Sequence, residues 1–161
     1  MYTISDTRSG FSMVEILVSA SIFLTAVVGF VAAFDAFTSL SRHTAEKTAA
    51  ALLLEEGMEA LQLLRDQGWT EHIAPLTPGQ EYTLYWSGSA YAATSTEMTI
   101  GESYTRSITL STVRRNGSDT VDDSGTLDDD TRAVTIEVAR QSDGEVLATA
   151  AVLIHNIYEA D

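Results

Sequence analysis

The first third of the chain is dominated by a long apolar run. The run opens just after Gly10 and continues without a charged residue from Ile16 to Phe34. Because a helix rises about 1.5 Å per residue, roughly 20 mainly apolar residues are enough to cross the hydrocarbon core of a bilayer. The pattern therefore predicts a transmembrane helix in this region.

An amphipathic helical pattern follows the apolar run. Its apolar residues recur at helical spacing, while the acids among them lie mostly on other faces; this apolar stripe is Leu54, Met58, Leu61 and Leu64. Gly68 is a natural helix terminator, and two nearby prolines prevent continuation. We therefore predict one continuous helix from Phe11 to Gln67, with Gly57 placed where a sheet packs closest against it.

The rest of the chain contains short segments of partly alternating pattern that are rich in β-branched and aromatic residues. Such segments predict strands, which lie at residues 80–86, 104–113, 133–139 and 146–154. Asp143-Gly144 signals a hairpin turn between the last two strands. Residues 87–103 are predicted to be a loop, or a weak strand around Glu97 to Ile100. Trp69 and Trp86 are expected in the core or at its edge.

Together these elements predict an α+β fold. A long N-terminal α-helix, transmembrane in its first half, is expected to pack its apolar stripe against a small antiparallel β-sheet head. Such a helix is too long for one small globule, so the expected shape is a ladle with the helix as its handle.

Glu15 is a carboxylate near the start of the apolar run. An ionised side chain in hydrocarbon costs several kcal/mol unless it is paired, so it indicates a function by default. A secretory signal peptide is one alternative, with Val31-Ala32-Ala33 as its cleavage site. Against it, the charges of Asp6 and Arg8 cancel where a signal peptide is basic, and the apolar run that follows is too long and contains an acid. An uncleaved single-pass anchor with an incidental acid is the other alternative.

The residues Gly10-Phe11-Ser12-Met13-Val14-Glu15 resemble the processing motif of type IV prepilins and type II secretion pseudopilins. The resemblance implies cleavage between Gly10 and Phe11 by a membrane aspartyl peptidase, methylation of the new N-terminus at Phe11, and an assembly role for Glu15. In that family the amine pairs with the glutamate of a neighbouring subunit. When two opposite charges lie together in lipid, their attraction offsets the free-energy cost of removing each of them from water.

The resemblance also implies a division of the chain and a location. Residues 1–10 would be the leader, 11–37 the transmembrane and assembly half of the helix, 38–68 its exported half, and 69–161 the β head. Arg8 is the base before the run, so the positive-inside tendency leaves the leader in the cytoplasm and exports the rest, although Arg42 weakens this bias. The protein would lie in the inner (cytoplasmic) membrane and then in a pilus or pseudopilus.

The charge and cysteine content of the chain limit the functions that its predicted exported part can have. The formal net charge is −14, which disfavours direct nucleic-acid binding because such binding depends on bases that neutralise phosphates. The paired bases Arg114-Arg115 are more typical of a solvated hairpin edge. The chain has no cysteine, so it lacks the disulfide that often closes a loop in major pilins.

The segment 116–131 is an acidic loop in the sequence pattern. Its acids are Asp119, Asp122, Asp123, Asp128, Asp129 and Asp130. Such a loop is either solvated and mobile or pinned by calcium, which prefers oxygen ligands on a flexible loop. The spacing differs from that of an EF-hand, and both interpretations stay open.

Catalytic chemistry has little support in the sequence. The three histidines, His43, His72 and His155, have no metal-ligand spacing, and there is neither a nucleophile elbow nor a phosphate-binding glycine loop. We therefore expect a structural filament subunit and not an enzyme. No resident cofactor is expected unless calcium binds the acidic loop.

Two residues narrow the kind of subunit that the resemblance implies. Ala32 stands where major pilins have a kinking proline, and the tip subunit of type II systems lacks the acid that is present here as Glu15. A minor pilin or minor pseudopilin is therefore favoured. Its partners would be a prepilin peptidase/methyltransferase, other pilin or pseudopilin subunits and an inner-membrane assembly platform. A membrane-anchored or secreted β-domain binding module, never assembled into a filament, is the alternative function.

Overall fold

The computed structural model describes residues 10–157. Helix α1 spans Met13–Gln67, and a single π-helical turn follows at Trp69–Ile73. Six strands complete the described chain, namely β1 (Glu81–Trp86), β2 (Tyr91–Thr94), β3 (Thr99–Ile100), β4 (Tyr104–Arg115), β5 (Thr126–Arg140) and β6 (Val146–His155). The predicted α+β class, a long N-terminal helix followed by an antiparallel sheet, is confirmed.

The strands form one six-stranded antiparallel sheet. Its order is β2-β1-β4-β5-β6, and β3 pairs with the start of β4. The predicted turn at Asp143-Gly144 joins β5 to β6, where Gly144 has a φ of 71° and donates its N–H to the Arg140 carbonyl at 2.8 Å. Strand β2 was not predicted, because a strand of only four residues carries almost no pattern.

Contacts divide the chain into two compact units at the boundary between Thr44 and Ala45. We call residues 10–44 the N-terminal unit and residues 45–157 the C-terminal unit. The N-terminal unit contains no buried residue among those the structure describes. The C-terminal unit contains the hydrophobic core.

The core lies between the second part of α1 and one face of the sheet. From the helix, Leu61 and Leu64 are almost completely buried, and Leu54 and Met58 pack at the edge of the same cluster. The sheet contributes Leu84, Ile108, Leu110, Val134, Ile136 and Ile154. The predicted stripe at helical spacing is therefore the buried face of the helix.

Gly57 marks a close approach of α1 to the sheet, as the sequence predicted. A Cβ atom at this position would lie 2.8 Å from Cδ of Arg106 and 3.3 Å from Cγ2 of Ile136. Arg106, on β4, is buried and donates from Nη1 to the carbonyl of Leu53 at 3.0 Å. Glycine removes the side chain that would hold the helix and the sheet apart.

The two tryptophans differ in their surroundings. Trp69 is buried, and the guanidinium carbon of Arg132 lies 5.9 Å above its ring. Trp86 is 58% exposed at the last residue of β1, where it contacts Tyr91 edge-to-face at 5.3 Å. The prediction of a position in the core or at its edge is confirmed for Trp69. Trp86 lies outside the buried cluster and contacts Tyr91, which packs against that cluster, because β1 ends at Trp86 and a hairpin turn follows.

Candidate functional site

The predicted processing residues lie at the entrance to helix α1. Gly10 and Phe11 precede the helix, which begins at Met13, and the Ser12 carbonyl accepts the Ile16 N–H at 3.1 Å. Phe11 is 80% exposed, and a Cβ built at Gly10 would have no described atom within 4 Å. Among residues 10–157, nothing covers the backbone at Gly10 and Phe11.

Glu15 lies in the first turn of α1. A carboxylate there is stabilised by the positive end of the helix dipole, so Glu15 also favours the start of the helix. The spacing Ser12-Met13-Val14-Glu15 is typical of a capping box, in which serine and glutamate satisfy the first N–H groups. This local signal places the start of the helix at Ser12, so α1 begins at Met13, two residues later than the predicted Phe11.

Around Glu15 the helix presents an apolar surface on every side. Large apolar residues exposed by more than half include Ile16, Leu17, Ile22, Phe23 and Leu24. An 18-residue window of α1 has a mean hydropathy of 2.4, and none of it is buried within the structure. By length and composition this part of α1 could span a membrane.

Two hydroxyl side chains within this apolar surface bond to the helix itself. Ser21 donates to the Val18 carbonyl and Thr25 donates to the Ser21 carbonyl, each at 2.8 Å. A hydroxyl that is bonded to its own helix adds little to the cost of transfer into hydrocarbon. These residues are therefore compatible with a lipid environment, which leaves Glu15 as the charge that needs a partner between Gly10 and Phe34.

In the C-terminal unit, a separate cluster of charges is centred on Arg140 at the end of β5. Its guanidinium bonds to Glu46 at 2.7 Å, Asp143 at 2.7 Å and Glu145 at 2.8 Å. These carboxylates raise the pKa of Arg140, with the hydrogen bond to Glu46 contributing most. A cleft of about 560 Å³ beside it is lined by Glu46, Glu102, Ser103, Tyr104, Arg140 and Gln141 among others. Since the guanidinium is already bonded to three carboxylates, the cluster ties the helix to the β5–β6 turn rather than offering a free cation to a ligand.

The acidic segment 116–131 is not a loop throughout. Strand β5 begins at Thr126, so Asp128, Asp129 and Asp130 lie on the strand. Arg115 bonds to Asp128 at 2.7 Å and approaches Asp119 at 3.6 Å. Burial opposes ionisation of Asp128, but hydrogen bonds from Thr131 and Arg115 outweigh it and lower the pKa. The predicted boundaries missed this, because a pattern rich in Asp disfavours a strand and the pairing with Arg115 is non-local.

The histidines stay apart in the structure. His43 lies on α1, His72 lies in the π-helical turn, and His155 ends β6 with its Nδ1 3.0 Å from the hydroxyl of Thr131. Among residues 10–157, no group of three or more His, Asp or Glu side chains is placed to hold a metal ion. Calcium in the acidic segment therefore stays one of two open interpretations.

The predicted leader, residues 1–10, lies outside the described residues except for Gly10. Arg8, which carries the argument about orientation, and Asp6, which entered the argument against a signal peptide, are among those not described. No protein-family model, curated protein or solved structure matches the chain in sequence or structure comparisons. The resemblance to prepilins therefore depends on the short motif from Gly10 to Glu15 and on the helix behind it.

Proposed function

We propose that this chain is a structural subunit, a minor pilin or minor pseudopilin, of a type IV pilus or a type II secretion-like filament. The observation that carries the proposal is the position of Glu15. It is the one charged residue between Gly10 and Phe34, in the first turn of a helix whose apolar side chains are exposed on every side. An acid in that environment needs a cationic partner.

Processing would create that partner. A prepilin peptidase would cleave the bond between Gly10 and Phe11, which frees an α-amine four residues before Glu15, and a methyltransferase activity would modify this amine. The amine of one subunit would then pair with Glu15 of its neighbour. In a low-dielectric environment this pairing is strong only when both charges are present and close, so it would fix the register of one helix against the next.

The two units would then have different tasks. The N-terminal unit would hold the subunit in the inner membrane, on the assembly platform, and then in the filament core. The C-terminal unit, with its own hydrophobic core, would be exported and exposed on the filament. The acidic character of the chain fits a subunit whose partners are proteins rather than nucleic acid.

The substitution Glu15→Gln tests the assembly step in the cells that make the protein. It keeps the size of the side chain and removes the charge, so cleavage at Gly10 should continue while the amount of subunit in sheared filaments falls several-fold. Glu55→Gln is the matched control, since Glu55 is an exposed acid on the same helix. Unchanged incorporation of Glu15→Gln would contradict the proposed role of Glu15. Absence of the natural chain itself from sheared filaments, with the chain still at the membrane, would favour an anchored binding module.

A further inference from the structure

Strand β6 forms one edge of the sheet, and its outer side is open. The strand is the last in the sheet order, and its regular pairing with β5 runs from Ala148 to His155. No residue in the described range 10–157 pairs with the backbone on its other side. An edge strand of this length presents a row of N–H and C=O groups that can accept another strand.

The edge lacks the devices that normally prevent strand addition. Between Val146 and Ile154 the strand has no charged residue and no proline. The irregularity in its pairing lies at its start, between Val138 and Ala139 of β5, and leaves the rest of the strand regular. The opposite edge is different, because β2 has only four residues. Short strands, bulges and edge charges are the usual protections, so β6 is the unprotected edge of the sheet.

The side chains of β6 are complementary to a second copy of the same strand. Thr149, Ala151 and Leu153 are exposed on one face, while Ala150, Val152 and Ile154 lie on the core side. In an antiparallel pair, residues directly opposite each other share a face. With the two-fold axis at Ala151, Thr149 opposes Leu153 of the second copy and Ala150 opposes its Val152. Each small side chain therefore meets a larger one, and Ala151 meets itself.

Charge also permits this pairing. The nearest acid on the exposed face is Glu137, which stands opposite Thr149 on β5. In the same register, Thr149 lies opposite Leu153 of the second copy, and that Leu153 pairs with Ala133 of its own β5. The line of paired residues that contains Glu137 of one copy therefore ends at Ala133 of the other, and the two Glu137 side chains are not in line with each other. The acids at the start of β6, Asp143 and Glu145, are already bonded to Arg140. A second copy can therefore approach this edge although the chain is strongly acidic.

We propose that β6 is a self-association surface, through which two copies of this chain pair edge to edge as antiparallel strands centred on Ala151. The inference rests on the C-terminal unit and does not depend on the proposed filament function. A two-fold pair differs from the head-to-tail contacts that a polar filament requires, so in a filament-forming chain it would be a contact between copies that are not yet assembled.

Cross-linking of single-cysteine variants tests the pairing directly, because the natural chain has no cysteine. In either kind of antiparallel pair the Cα atoms of opposed residues are about 4.5 to 5.5 Å apart, within the range that a disulfide spans. The full chain with Ala151→Cys, in its membrane and under mild oxidant, should run mainly as a dimer. Ala92→Cys on the opposite edge is the matched control and should stay monomeric.

The register has its own test. A mixture of Thr149→Cys and Leu153→Cys chains carrying different tags should cross-link more than either variant alone. In the cysteine-free chain, purified in detergent, sedimentation should show a dimer, and Ala151→Lys should lose it because two ammonium groups would face each other. Ser111→Lys, an exposed position on β4, is the control and should keep it.

Three outcomes would overturn the proposal. They are equal cross-linking of Ala151→Cys and Ala92→Cys, capture of a different protein by Ala151→Cys in place of a second copy, and a dimer that persists in Ala151→Lys. A thermal melt of each lysine variant shows that it is folded, so loss of the dimer is not mistaken for unfolding.

Discussion

The two parts of helix α1 use the same kinds of apolar residue in opposite ways. In the N-terminal unit Phe23 and Leu24 are 66% and 62% exposed, whereas in the C-terminal unit Leu61 and Leu64 are each 1% exposed. The sheet supplies the burial for the second pair. Nothing within residues 10–157 supplies it for the first pair, and this part of α1 is long and apolar enough to span a membrane. Secondary structure is therefore continuous along α1, whereas burial within the described residues begins only in its second part.

The largest expected difference between the two parts is the effect of removing a leucine side chain. Leu61→Ala leaves a cavity in the core and should lower the free energy of unfolding by about 2–5 kcal/mol. Leu24→Ala makes the same chemical change on an exposed position and should alter the unfolding of the C-terminal unit very little. Denaturant titration of the full chain in detergent measures both. Equal losses would show that the N-terminal unit contributes to the same cooperative core.

The two helical glycines give a second comparison. At Gly57 a methyl group would press on Arg106 and Ile136, so Gly57→Ala should destabilise the C-terminal unit by about 1–3 kcal/mol. The gain in helix propensity, about 1 kcal/mol, offsets only part of this cost. At Gly29 a built Cβ has no described atom within 4 Å, so Gly29→Ala should not destabilise. A stabilising Gly57→Ala in the same denaturant titration would mean that the close approach is not rigid.

Acid should weaken the C-terminal unit through its paired aspartates. The pKa of Asp128 is lowered because hydrogen bonds from Thr131 and Arg115 outweigh burial. A lowered folded pKa contributes stability above the unfolded value of about 3.9, and this contribution is lost as pH falls through the folded value. Asp128→Asn should therefore lower Tm at pH 7 by the equivalent of about 1 kcal/mol or less. The difference from the natural chain should vanish at low pH.

Asp129→Asn is the control for that measurement, because Asp129 is exposed and its carboxylate makes no hydrogen bond to another described residue. Its Tm should follow that of the natural chain at every pH. A pH-independent loss in Asp128→Asn would mean that packing, not charge, explains the effect.

Calcium removal is expected to have the smallest effect. Arg115 already bonds to Asp128 and approaches Asp119, so part of the repulsion in the acidic segment is neutralised by the chain itself. A chelator should therefore leave the Tm of the full chain unchanged. A fall in Tm that added calcium restores, and that Asp122→Asn abolishes, would show that the segment holds the ion.

The patterns that were local in the sequence predicted the structure well. The stripe from Leu54 to Leu64, the terminator at Gly68 and the Asp143-Gly144 turn all depend on residues close together in the chain, and each is found as predicted. The close approach at Gly57 was also predictable, because a glycine within a good helix pattern needs a packing reason.

The features that were missed depend on distant residues. Asp128 lies on a strand because residues 126–128 pair with residues 113–115 of β4, and the Arg115 side chain also bonds to its carboxylate. Neither the register nor the ion pair can be read from the pattern of the segment itself. The open edge of β6 was equally invisible, since it follows from the order of strands in the sheet. For the candidate site, the motif predicted Gly10, Phe11 and Glu15, and the structure adds their exposure and the position of Glu15 in the first helical turn.

The central claim is that Glu15 gains its partner only when the chain is cut, and the N-terminus of the mature protein tests this most directly. Mass spectrometry of the protein isolated from the membrane of cells with a prepilin peptidase should find a chain that begins at Phe11 with a methylated α-amine. A chain that retains Met1, or one that begins at Phe34 after signal-peptidase cleavage, would contradict the account.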